Sequence, residues 1–136
     1  MAKITGADRH ARRLKNMRNV AKDVTAALYA AGQDIELDAE RSITAGSISG
    51  KGHIPSLPGE PPNRDTGDLD RNIETSIQTQ SPPTVHVTSH MPYSAALEYG
   101  TSKMAERPFM RPATEKNRGK VGQKVAAAVR IAVRKG

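Results

Sequence analysis

The side chains with catalytic or ligating potential are few: the chain has four histidines and no cysteine. Without cysteine there is no thiolate nucleophile, no thiolate metal site and no disulfide framework. His86 and His90 stand four apart, a spacing that joins two imidazoles on one metal when the segment is helical. Val85 and Val87 alternate with polar neighbours and make this segment a strand, on which residues four apart lie about 13 Å from each other. Asp65, Asp68 and Asp70 loosely resemble a cation loop, but the glycine and glutamate that a calcium loop needs at its sixth and twelfth positions are absent. These acids therefore read as turn and cap residues. His10 and His53 have no nucleophile beside them, and there is neither a Gly-rich phosphate loop with lysine nor a Gly-x-Ser-x-Gly elbow. The expectation is a protein that is not an enzyme and uses no metal and no cofactor.

The elements that must position these residues follow from periodicity. Leu14, Met17, Val20, Val24, Leu28, Ala31, Ile35 and Ala39 recur every three or four positions, which predicts one long amphipathic helix from Asp8 to Ile43, with Asp8 as its N-cap. Gly32 interrupts it and marks a candidate bend. Residues 45–66 hold eight of the chain's twenty glycines and prolines and have no periodicity, so they predict a flexible arm of about 20 residues. Period-two alternation then predicts strands over 72–80, with Ile73, Thr75, Ile77 and Thr79 on one face, and over 84–89, joined through Ser81, Pro82 and Pro83. Tyr93 to Leu97 reads as one helical turn, Glu98 to Thr101 as strand entering a turn, and Arg107 to Arg111 as extended, because Pro108 and Pro112 disfavour helix in the residues before them. A closing helix is expected from Pro112 to Arg134, with Val121, Val125, Ala128, Val129 and Ala132 as its apolar stripe and Glu115 in its first turn. The fold class is α+β: a long N-terminal helix, an extended Gly/Pro-rich loop, a small antiparallel sheet, and a C-terminal helix packed on the sheet.

The length of 136 residues suits a single domain, 1–136, whose core is thin. Valine, isoleucine, leucine and phenylalanine together make only 17% of the chain. At that fraction, with high net charge, part of the fold's stability is expected from neighbouring subunits. No apolar run follows Met1 and no stretch is long enough to cross a bilayer, so neither a cleaved leader nor a membrane partner is expected. The net charge of +7 is unevenly placed. Residues 1–22 carry +6, residues 23–110 carry −6 and residues 111–136 carry +7. Two basic ends flanking an acidic middle suggest contact with nucleic acid, with an acidic protein surface, or with the middle of another copy. Tyr29, Tyr93, Tyr99 and Phe109 are the only rings. All four lie in the acidic middle, so base stacking has no support, and phosphate contact stays open.

The most specific stretch begins at Tyr93 and runs through Glu98, Tyr99, Gly100 and Thr101 to Arg107, Pro108, Phe109, Met110, Arg111 and Pro112. It resembles the signature of the head-to-tail joining, or tail-completion, family of long-tailed bacteriophages, the tenth-gene-product-like family of lambda-like siphophages. In that family a similar run leads into a C-terminal helix. An upstream echo, Pro58, Gly59, Glu60, Pro61 and Pro62 followed by Thr66, Gly67, Asp68 and Leu69, is similar to the family's approach to its first strand. The chain departs from the pattern at Ser94 and Glu106. The resemblance implies a virion protein of the head–tail connector, assembled in the host cytoplasm. It would form a ring, a hexamer by analogy, between the portal complex and the tail. Its neighbours would be head-completion or adaptor proteins, a tail terminator and the tail tube. Tail terminators and minor tail proteins of similar fold are the nearer alternative, and a small basic nucleic-acid-binding protein the more distant one.

Two expectations concern particular side chains. The arm, with Pro55, Pro58, Gly59, Pro61 and Pro62, is suited to ordering against a neighbour. Phe109, the only phenylalanine, should plug the junction of closing helix, sheet and first helix, with Met110 on the opposite side. Arg107 and Arg111 should reach past it to acids or helix-end carbonyls.

Overall fold

The computed structural model describes residues 6–45 and 55–135. Its elements in chain order are α1 (Ala7–Thr44), α2 (Asp68–Arg71), β1 (Ile73–Gln80), β2 (Pro83–Ser89), α3 (Ser94–Tyr99) and α4 (Met110–Lys135). This is the expected α+β order, with α2 added before the hairpin and the helical turn expected at 93–97 present as α3.

α1 is the frame on which the rest is built. Its 38 residues span about 57 Å at 1.5 Å per residue. α4 runs antiparallel along it, as side-chain pairs at two levels show: Asp38 meets Lys116 and Asn117, and Asp34 meets Lys124. The hairpin seats on the same helix. Gly32 explains how: it is buried in an unbroken helix, and a Cβ there would lie 2.7 Å from Thr75 Cγ2 and 3.2 Å from Val85 Cγ1. The glycine is therefore a notch that admits the sheet to the helix backbone.

β1 and β2 pair antiparallel, with Ile73 opposite Ser89, Thr75 opposite Val87 and Ile77 opposite Val85, and an irregularity between Ile77 and Thr79. The face expected to be buried is buried only at Ile73 and Thr75, while Ile77 and Thr79 are exposed. The thin core gathers Ala39 and Ile43 of α1, Leu69 of α2, Ile73 of β1, Phe109 just before α4 and Ala113 of α4, with Ile35, Val87, Met91, Leu97 and Met110 packed around them. Phe109 is 1% exposed, so it fills the junction as expected. Met110 packs against the same cluster and does not face away from it.

Several local expectations are corrected. α1 is capped by Gly6 at φ 101°, and Asp8 sits within its first turn. Glu98 and Tyr99 are helical, not strand, because α3 continues to Tyr99. Met110 and Arg111 are helical, not extended, because α4 starts two residues before Pro112. A proline in the first turn is compatible with this, since a residue there has no intrahelical N–H bond to lose. Glu115 consequently falls beyond the first turn, which holds no acid of its own.

Candidate functional site

The resemblance-bearing residues converge on the start of α4. The first amides of a helix have no intrahelical acceptors, and burying them unpaired is costly. Glu98, projecting from α3 and 5% exposed, supplies the acceptors. Its Oε2 accepts from the backbone N–H of Phe109 (2.9 Å) and Met110 (3.0 Å), and its Oε1 from the N–H of Arg111 (2.9 Å). The next residue, Pro112, has no N–H to satisfy. One remote carboxylate and one proline together account for the whole free end of α4, and the negative charge sits where the helix dipole favours it.

Arg111 closes the arrangement. Its Nε donates to Glu98 Oε1 at 3.0 Å, and one terminal nitrogen donates to the Glu98 carbonyl at 2.6 Å and to Glu106 Oε2 at 2.9 Å. Its guanidinium lies 5.1 Å from the centre of the Tyr99 ring, a cation–π geometry. Burial pushes the Glu98 carboxyl up, but the three backbone donors and Arg111 outweigh burial and hold it below the ordinary carboxylate range. Its hydrogen bonds to Glu106 and Glu98 raise the Arg111 guanidinium above its usual value.

Gly100 makes the return of the chain feasible. It has φ +75°, and a Cβ there would lie 2.9 Å from the Glu106 backbone nitrogen. Only glycine accepts both the left-handed backbone and the contact. Thr101 continues the turn: its N–H donates to Met104 O, and its Oγ1 accepts from the Lys103 N–H. Arg107 donates its backbone N–H to Leu97 O at 2.6 Å. Arg111 thus reaches acids and a helix carbonyl as expected, whereas the buried Arg107 Nε has no hydrogen-bond partner among the described residues. Pro108 is half-buried beneath Phe109, and Pro112 is exposed.

Residues 55–66 of the expected arm lie against the subunit's own body. Gly59 N–H donates to Glu106 O at 2.9 Å, and Arg64 N–H donates to Ile43 O at 2.9 Å. Pro62 is buried, Pro61 half-buried, and Pro55 and Pro58 exposed. Residues 46–54 of the arm lie outside the described residues. Thr66 Oγ1 donates to Asp68 Oδ2, Gly67 at φ +88° precedes α2, and Leu69 enters the core. This segment, α2, α3 and Arg107 enclose a pocket of about 510 Å³. Its charges include Asp65, Asp68 and Asp70, with Arg64 Nε 3.5 Å from Asp70 Oδ2. Tyr93, at the entrance to α3, is raised above its ordinary value by burial and by Asp68, Asp65 and Asp70. Ser56 Oγ, one of the pocket's hydroxyls, is buried and has no hydrogen-bond partner among the described residues, so none of them activates it as a nucleophile.

Among the described residues no group of three or more His, Asp or Glu side chains could hold a metal ion. His86 is exposed on β2, and His90, just beyond it, hydrogen-bonds Glu74 through Nε2 at 2.8 Å. Among the described residues no helix is long and apolar enough to cross a membrane.

A second polar lock was not singled out in the sequence. Asn117, 1% exposed, donates through Nδ2 to Asp38 Oδ2 at 2.7 Å and to Ala113 O at 2.8 Å. The Asn117 hydrogen bond and Lys116, against a smaller opposing effect of burial, hold the Asp38 carboxyl below its ordinary value. Its signal was present: Asn117 lies four residues before Val121, a polar side chain on the apolar stripe. The ion pair of Lys124 with Asp34 ties the same two helices one level further along.

Comparison with known proteins returned no matching family model, no matching curated protein and no matching solved structure.

Proposed function

We propose that this chain is a non-enzymatic structural protein of a bacteriophage head–tail connector, assembling as a ring, a hexamer by analogy, that completes the tail and joins it to the portal complex. The observation that carries the reading is the brace itself. The residues that resemble the tail-completion signature serve one structural purpose, setting the start of α4 through Glu98, Gly100, Arg111 and Pro112. Every acceptor direction of Glu98 is engaged, which suits a fixed scaffold and leaves no lone pair for proton transfer. The thin core supports a subunit that gains stability from its neighbours.

The test is removal of the gene from a phage or prophage that encodes it. Full heads separate from tails that lack the completing ring, joined on adding purified protein, are the expected outcome. Normal infectious particles without the protein would overturn the reading.

A second reading, binding to nucleic acid, is favoured by one observation. Arg9, Arg12, Arg13, Lys15 and Arg18 are exposed along α1 and make no ion pair among the described residues. Affinity for duplex DNA with a log–log salt slope of about −0.9 per phosphate contacted would support it.

A further inference from the structure

The subunit exposes large apolar side chains mainly at two places. One is a groove of about 590 Å³ between the first half of α1 and the end of α4, lined by Met17, Val20, Val24, Pro83 and Val133. Met17 is 67% exposed and Val133 64%. Leu14 and Ile131 are exposed close by in sequence. On helical spacing Arg13 stands one turn from Met17, and Arg130 one turn from Val133. Both are exposed, and neither has an ion-pair partner among the described residues.

The other place is the brace end. Leu57 is 67% exposed, Tyr99 69% and Tyr93 43%. The hydrogen bond from Gly59 to Glu106, and Arg111 bridging Glu106 to the Tyr99 ring, place the Leu57 turn and Tyr99 on one side of the molecule. Glu60, Asp65 and Asp68 are exposed on the same segments.

One end is thus apolar with a basic rim and the other apolar with acids around it. They cannot meet within a subunit. Ile43 lies beneath the brace end, and from Met17 to Ile43 the helix runs about 39 Å. Apolar surface of this kind marks an interaction site, and opposite charge selects its complement.

We infer that the groove of Met17, Val20, Val24 and Val133 receives the Leu57–Tyr93–Tyr99 end of a second copy of this chain, with Arg13 and Arg130 facing Glu60, Asp65 and Asp68. The contact is heterologous, so successive copies add in one direction and close into a ring where the rotation allows. This inference rests on the ring-forming reading above and names the surfaces that such a ring would use.

The test uses two full-length variants with one end altered in each, checked for unchanged melting temperature because all four positions are exposed. Met17→Glu with Val133→Glu spoils the groove. Leu57→Lys with Glu60→Lys spoils the opposite end. Native mass spectrometry should find the wild-type protein as a multiple of 14.6 kDa and each variant alone as a monomer. An equimolar mixture should give a complex of twice the subunit mass and nothing larger, since only one intact pair of ends remains.

A wild-type protein that oligomerises while both variants keep its mass overturns the assigned surfaces and leaves the ring reading standing. A variant that dimerises by itself shows an isologous contact and overturns the head-to-tail geometry. A wild-type protein that stays monomeric at about 100 μM, far above the Kd of a stable interface, overturns both. Loss of DNA binding in the groove variant, with no change of mass, assigns the basic end to nucleic acid instead.

Discussion

The two ends of the helix pair contrast in how their charges are answered. At the brace end Glu98, Glu106 and Arg111 satisfy one another, Arg64 approaches Asp70, and Phe109 is sealed beneath them. At the opposite end Arg9, Arg12, Arg13, Lys15 and Arg18 point into solvent beside an open apolar groove. The brace end does the work of folding the subunit. At the basic end these five side chains make no ion pair among the described residues.

Substitutions should therefore have very unequal effects on stability. Phe109→Ala empties the centre of a core with few large side chains, and should cost about 3–5 kcal/mol in urea or thermal unfolding. A variant that melts like wild type but fails to assemble would move Phe109 from core to interface.

Glu98→Gln comes next. It replaces a charged acceptor of three backbone amides with a neutral amide that can turn a donor towards them, and should cost about 2–3 kcal/mol. The sign of its pH dependence follows from linkage. The folded protein holds Glu98 below its ordinary value, and Asp38 likewise. The folded state then binds fewer protons than the unfolded one, so their contribution is present above the ordinary carboxylate pKa of about 4.5 and is lost as pH falls through the lower folded values. Stability measured from pH 6 downwards should decline for the wild type below about pH 4.5, and decline less steeply for Glu98→Gln. Parallel curves would mean that the carboxylate is not the cap.

The smallest effect is expected at the other end. Met17→Ser should change subunit stability by less than about 0.5 kcal/mol, as is usual for an exposed position. A loss several times larger would show that the groove is packed within the subunit, and would break the contrast.

The long helix was legible because its signal is local: eight apolar positions at helical spacing outvote one glycine. The hairpin was legible for the same reason, although alternation alone could not show that α1 covers only the first half of β1. The beginning of α4 was not legible. Helix rules place Pro112 at a first position and look for a nearby acid, whereas the acid that caps this helix comes from Glu98, twelve residues before Met110. Read locally, Glu98 and Tyr99 beside a glycine look like strand entering a turn. Their helical state makes sense only when the carboxylate is seen filling the end of another helix. The notch at Gly32 was hidden similarly, since a glycine in a helix reads as a weakness until the sheet that fills it is known.

That notch has a consequence for how this architecture tolerates change. A two-stranded hairpin is only marginally stable by itself, and here its position depends on one absent methyl group in α1. Sliding the hairpin by one turn in either direction would set Leu28 or Glu36, instead of bare backbone, beneath Thr75 and Val87. The notch sets the level of the hairpin along α1, and Ile73 and Val87, packed in the core, hold it there.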